Sequence, residues 1–373
     1  MASEYRAAFI RGGTSKALVF HERDLPRERV ERDAIFLRAM GSPDPYERQL
    51  DGMGGGLSSL SKVCVVGPPS RPDADVDYLF AQVQVDRPVV DYSGNCGNMS
   101  SAIGPFAVDE GLVPATDGEA SVRIHNVNTG KIIRSRFAVR EGRSATEGDY
   151  RLQGVAGTGA PVRLDFLDPG GAATGTLLPA GEVTTASAVP VSLVDAGNPV
   201  VFLDAADVGL TAAELPEELD ADTELCQRVE SLRRAGSVRM GLADGERAAG
   251  ERRLTPFVAV VAPPADYRTL SGEVIAAEEI DLLVRFWSNG KAHRALPLTG
   301  ALCSAIAARL PGSVVHRHVR DRDGAVLRLG SPSGPLEVDA AVVADSSAPE
   351  GFRADYATAY RTTRRLFTGV VNI

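Results

Sequence analysis

The chain has 373 residues, 44% of them hydrophobic and 24% charged, with a formal net charge of −9. That length exceeds one ordinary core and predicts two domains of a soluble globular protein. The acidic balance argues against general binding to nucleic acid or an anionic membrane, and an anionic ligand would need a locally positive site.

In chain order, residues 5–20 read as strand, glycine turn and strand, with Arg11-Gly12-Gly13-Thr14-Ser15-Lys16 at the turn. A helix follows over 26–40, then a Gly/Ser-rich loop over 51–61 and a strand over 62–66. Residues 76–85 alternate as a strand does. A glycine-led turn at Cys96-Gly97 opens a helix over 98–110, with Gly111 placed to end it. Strands are expected over 121–126, 132–140 and 162–167, a turn over 178–184, and a crossing into a second domain over 187–193. That half carries a helix over 221–235, strands over 257–262 and 281–286, and a second loop-to-helix junction at 298–306. Ser100-Ser101-Ala102-Ile103 returns there as Cys303-Ser304-Ala305-Ile306, with Gly97 in register with Gly300. The echo suggests two similar halves, each offering a helix N-terminus to an anion.

Cysteine and lysine usage narrows the chemistry. Cys64, Cys96, Cys226 and Cys303 are far apart and form no C-x-x-C pair, which argues against a disulfide framework and a zinc site. Free thiols point to the reducing cytoplasm. No signal-peptide pattern opens the chain, and no apolar run approaches the ~20 residues that cross a bilayer. Of 40 basic residues only Lys16, Lys62, Lys131 and Lys291 are lysine. A lysine, unlike an arginine, can give up its proton when its surroundings demand it.

The glycine run Asp51-Gly52-Met53-Gly54-Gly55-Gly56 lacks the G-x-G-x-x-G spacing and the Walker lysine context. Ser59-Leu60-Ser61-Lys62 fits S-x-x-K, but its partner motifs are missing. Cys96 lies between Asn95 and Gly97 at a helix start, a setting that favours a reactive thiol; the plain alternative is a packing cysteine, as Cys64 is among valines. Lys62 opens a strand directly after the loop and is a candidate acid/base. Residues 11–16 resemble an anion-binding turn. The five histidines show no metal-ligand spacing, and His293 reads as structural.

These segments together resemble the PrpF family of 2-methylaconitate cis-trans isomerases, with 4-oxalomesaconate tautomerases, methylitaconate isomerases and aconitate isomerases among its relatives. The resemblance rests on residues 11–16, Asp51 to Val63, Asp91-Tyr92-Ser93-Gly94-Asn95-Cys96-Gly97-Asn98 through Ala107, Gly157 to Pro161, Asp168 to Gly171, Asp195 to Pro199, and Ala295 to Ala301. It implies an α+β chain of two similar diaminopimelate-epimerase-like domains, each a curled mixed β-sheet wrapped around a central α-helix, with the site between them. The boundaries expected are 1–188 and 189–363, with 364–373 returning to the first domain. The resemblance implies a cofactor-independent isomerase with Lys62 and Cys96 as its acid/base pair. Substrate binding is expected from Arg11, Gly12, Gly13, Thr14, Ser15, Ser61, Asn95, Gly97, Asn98, Met99, Thr299, Gly300, Ser331 and Ser333. The expected partner is a small anionic polycarboxylate, with no nucleic acid and no membrane, and the expected assembly a homodimer. The two-cysteine racemases among its relatives carry a second thiol before the C-terminal helix, where this chain has Pro297 or Leu298. A His-Pro-Ser-Gly-like turn of the family reads Gly330-Ser331-Pro332-Ser333-Gly334 here.

Overall fold

The structure is a computed structural model that describes residues 4–92, 95–181, 183–252, 255–320 and 326–373. Gly94, one of the two glycines flanking Cys96, lies outside them. The chain forms two compact units, one of residues 1–166 and 360–373, the other of residues 167–359.

In the first unit, β1 (Glu4–Gly12) and β2 (Ser15–His21) form a hairpin, followed by α1 (Arg29–Met40), β3 (Lys62–Gly67) and β4 (Val76–Val83). Then come α2 (Gly97–Asp109), β5 (Gly118–Asn126), β6 (Lys131–Arg140) and β7 (Pro161–Leu167). Successive neighbours pair antiparallel, parallel, antiparallel, parallel and antiparallel from β1 to β6. Each parallel step needs a crossover, and the helices supply it: α1 between β2 and β3, α2 between β4 and β5. Side chains alternate across the sheet, so each strand feeds two cores. Ile10, Ala17, Val19, Cys64 and Val66 pack with Met99, Ile103 and Phe106 of α2. Leu18, Phe20, Val63 and Val65 pack with Phe36 and Met40 of α1. Ten of the thirteen residues of α2 are buried, so the helix is apolar on nearly every side, as a core helix must be.

The second unit repeats this plan. β8 (Val189–Ala196) and β9 (Asn198–Asp204) form a hairpin, followed by α3 (Thr223–Arg239), β10 (Phe257–Ala262), β11 (Leu282–Ser288), α4 (Leu298–Arg309), β12 (Leu327–Ser331) and β13 (Gly334–Ala344). From β8 to β13 the pairing again runs antiparallel, parallel, antiparallel, parallel, antiparallel. Helix α3 stands in the first crossover and α4, with nine of its twelve residues buried, in the second. The four-residue echo between the two helix starts therefore marks a repeat of the whole topology.

Several elements differ from their expected spans. The first helix begins at Arg29 rather than 26. The stretch expected to cross over at 187–193 is a hairpin within the second unit, turning at Ser187 and Ala188, both at positive φ. Residues 167–188 accordingly belong with the second unit, whereas the sequence had drawn the boundary at 188. The chain returns to the first unit at Tyr360 rather than 364. The last strand, β14 (Phe352–Asn372), pairs with β13 up to Ala359 and with β1 from Thr363 onward. Among the described residues no helix is long and apolar enough to cross a membrane.

Candidate functional site

Side-chain alternation along β3 puts Lys62 on the same face as Cys64 and Val66, the face that packs against α2. Lys62 is mostly buried. Its Nζ donates to Gln82 Oε1 at 2.6 Å and lies 5.1 Å from the centre of the Phe80 ring. Gln82 sits directly opposite Lys62 on β4, and its Nε2 donates to the Ser58 and Ser61 carbonyls at 3.0 Å. The amide thus aims its oxygen at the ammonium and ties it to the preceding loop.

Cys96 is the N-cap residue of α2, in extended conformation and half-buried against the α2 core. The Cys96 side chain makes no capping hydrogen bond, and no partner meets the first-turn N–H groups at Gly97, Asn98 and Met99 among the described residues, which leaves them to an anion. The Cys96 thiol lies 3.9 Å from the hydroxyl of Ser15, the first residue of β2. Cys64 connects the pair electrostatically. Burial raises its thiol far above the ordinary range, Cys96 raises it further, and Lys62 pulls it down. Cys64 is therefore an inert packing thiol within electrostatic reach of both candidate groups.

The hairpin turn fits against the helix start. A Cβ at Gly12 would come 2.8 Å from the Asn98 carbonyl oxygen, and one at Gly13, where φ is +53°, 2.5 Å from Asn98 Oδ1. Only glycine tolerates that approach. Asn98 Nδ2 donates to Thr14 Oγ1 at 3.1 Å, and Asn98 Oδ1 accepts from Arg361 Nε at 2.9 Å. Arg11 spends its guanidinium on the carbonyls of Gly13 and Thr362, each at 2.9 Å. Burial, then Arg364, lowers its ionisation from the usual arginine value. Asn95 Oδ1 accepts from Asn126 Nδ2 at 3.0 Å, and Asn128 Nδ2 donates to the Phe80 and Tyr92 carbonyls at 2.8 Å. Arg11 to Ser15, Asn95, Cys96, Gly97 and Asn98 are thus gathered around one end of α2, and Lys62 shares the sheet face that packs against this helix.

Two of the expected binding residues turn inward here. The Ser61 hydroxyl is fully buried, donating to Gln49 Oε1 at 2.6 Å, and the Met99 side chain is core. In the second unit, Thr299 and Gly300 lie in the first turn of α4, whose N-cap is Pro297. A Cβ on Gly300 would meet the Phe286 ring at 2.8 Å, so this glycine serves packing. Ser331 and Ser333 build the β12–β13 turn: Ser331 Oγ donates to the Gly334 carbonyl and Ser333 Oγ to that of Arg294. His293 bonds Ser288 Oγ at 2.7 Å, and burial lowers its basicity. Gln82, Asn126, Asn128 and Arg361 were not singled out from the sequence, because cross-strand register and the return of β14 bring them in. Among the described residues no cluster of three His, Cys, Asp or Glu side chains could hold a metal ion.

The family model described as PrpF protein matches residues 3–373. The chain is 39% identical to "3-methylitaconate isomerase" of Eubacterium barkeri, over 98% of this chain and 96% of that protein. It is 42% identical to "2-methyl-aconitate isomerase" of Cupriavidus necator, over 90% and 89%. The solved structure of methylitaconate-delta-isomerase superposes with a TM-score of 0.92 at 37% identity, covering 100% of this chain and 96% of that one. At the level of fold alone, a hydroxyproline epimerase from Agrobacterium vitis matches with a TM-score of 0.53 at 12% identity, over 99% and 93%.

Proposed function

This chain belongs to the PrpF family, and from that premise we propose that it is an isomerase that shifts a proton within an aconitate-like unsaturated di- or tricarboxylate, without a cofactor. The observation that carries this reading is the meeting of Cys96, the uncapped start of α2 and the glycine hairpin, with Lys62 at the same end of the sheet face. Within the family fold, each half is a curled mixed sheet around its buried helix. The enzyme works in the cytoplasm, as a homodimer.

The substrate C–H bond lies next to a carboxylate, or is conjugated to one through the double bond, and is a weak acid. Its removal leaves a delocalised dienolate whose charge must be met by donors already in place. The first-turn N–H groups of α2 and the hydroxyls of Thr14 and Ser15 are such donors. Cys96 as thiolate takes the proton. Lys62, whose Nζ donates to Gln82 Oε1, returns one at the allylic carbon for a double-bond shift, or at the original carbon after rotation for cis-trans exchange. Proton exchange with water then restores both groups.

The test is proton NMR in D₂O with cis-aconitate, trans-aconitate, 2-methylaconitate, 4-oxalomesaconate and methylitaconate. Deuterium entering one of them together with double-bond movement is expected. Absence of exchange in all five would overturn the reading.

A further inference from the structure

Arg361 is 5% exposed, and no carboxylate pairs with it among the described residues. Its Nε donates to Asn98 Oδ1 at 2.9 Å and one terminal nitrogen to the Tyr360 carbonyl at 2.8 Å. Its Cδ lies 3.1 Å from where a Cβ on Gly13 would stand, so the side chain runs beneath the hairpin turn at the start of α2. Burial pulls the guanidinium down to about 10, and Tyr150 and Cys96 oppose that fall. Of the other buried arginines among the described residues, Arg233 is answered by Glu230, whereas Arg285 also has no ion pair and spends its guanidinium on the Glu214, Val284 and Gly330 carbonyls. A buried cation without a counter-ion is costly, and the cost falls when an anion arrives in the same low-dielectric region.

We propose that Arg361 is a positioning residue for substrate: through Asn98 it locks the Gly13–Thr14 turn to the first turn of α2, and its unanswered charge is the complement of a substrate carboxylate seated there. This deepens the isomerase reading and rests on it. It also gives Asn98 a purpose, since its oxygen is committed to Arg361 and its nitrogen to Thr14, which fixes the donors around Cys96 in one orientation.

The experiment is calorimetric titration of the full chain with tricarballylate, a saturated tricarboxylate with no double bond to shift, alongside steady-state kinetics on whichever substrate of the NMR panel turns over. Arg361→Met is expected to weaken tricarballylate binding and raise KM by about tenfold or more while kcat changes less, and Arg361→Lys to restore most of the loss. Arg361→Gln decides the matter if Arg361→Met does not fold. A folded variant that binds tricarballylate as the parent does would overturn the inference and leave the isomerase reading standing. So would loss in kcat alone, or equal loss in the lysine variant. A parent enzyme that ignores tricarballylate while isomerising a substrate also sinks this inference alone, whereas indifference to tricarballylate with no turnover of any acid sinks both.

Discussion

The two halves of the molecule share a topology and differ in chemistry. Lys62 opens β3 opposite Gln82; at the matching place Phe257 opens β10, with Ser288 at the end of the neighbouring strand and His293 bonded across it. Cys96 caps α2, and Pro297 occupies that position at α4. The hairpin turn at Gly13 is pressed onto Asn98, whereas a Cβ on Gly197, in the matching turn of the second half, would meet nothing within 4 Å. A duplicated scaffold thus carries ionisable side chains and a tight fit at one helix start, and aromatic and imino residues at the other. The fold sets where an acid/base group could stand, and the side chains decide which half offers candidates for it.

The largest expected effect is from Cys96→Ala, which should cut turnover by roughly 10²–10⁴-fold in a folded protein, as loss of an acid/base group does. Adding Pro297→Cys to that variant should restore nothing, since the second half lacks the lysine. Recovery of turnover would erase the distinction between the halves. Lys62→Arg should cost about 10²-fold or more, because arginine keeps the charge but cannot release its proton. An enzyme that works normally with arginine there uses position 62 only for its charge. Both are read from initial rates on the substrate identified by NMR.

Next in size is Gly12→Ala. Its new methyl would press on the Asn98 carbonyl, so about 1–3 kcal/mol of stability should be lost along with activity. Gly197→Ala in the other half meets no neighbour and pays only for its left-handed backbone, φ +74°, roughly 1 kcal/mol. Denaturant melts of the two variants, compared with their rates, would show whether the fit at α2 matters beyond stability.

The smallest effect concerns acid. Burial pushes Glu110 of the first half upward, but Arg365 and His21 hold it below its usual 4.5; burial pushes Asp281 of the second half upward, but Arg328 holds it below 3.8. A depressed carboxylate adds stability that is complete above its unfolded value and disappears as pH falls through its folded value. Melting temperature should therefore drop below about pH 4, and Glu110→Gln and Asp281→Asn should each flatten that drop. A drop as steep as the parent's in either variant would place the acid sensitivity elsewhere.

Much of the fold could be read from local pattern. The strand beginning at Lys62, the strand Phe257–Ala262 and the helix after Cys96 follow from apolar periodicity and glycine punctuation, which act over a few residues. The loop at Asp51–Gly56 could be separated from a phosphate loop by spacing alone. Positive φ at Ser187 and Ala188 left no such mark, so a hairpin there read as a passage between domains. Gly12 and Gly300 look alike in the sequence; one makes room for the Asn98 backbone and the other for the Phe286 ring.

The amino-acid sequence by itself determined the family, the repeat hinted at by Ser100–Ile103 and Cys303–Ile306, and the chemical types at Lys62 and Cys96. Tertiary structure alone decided that Gln82 holds Lys62, that Cys64 feels the charge of both candidate groups, and that Arg361 comes back along β14 to lie under Asn98 with no carboxylate among the described residues to answer it. Residue type and local periodicity are properties of a short stretch of chain. Cross-strand register, burial and the field of a charge more than 250 residues away in sequence exist only once the sheet has closed its hydrogen bonds.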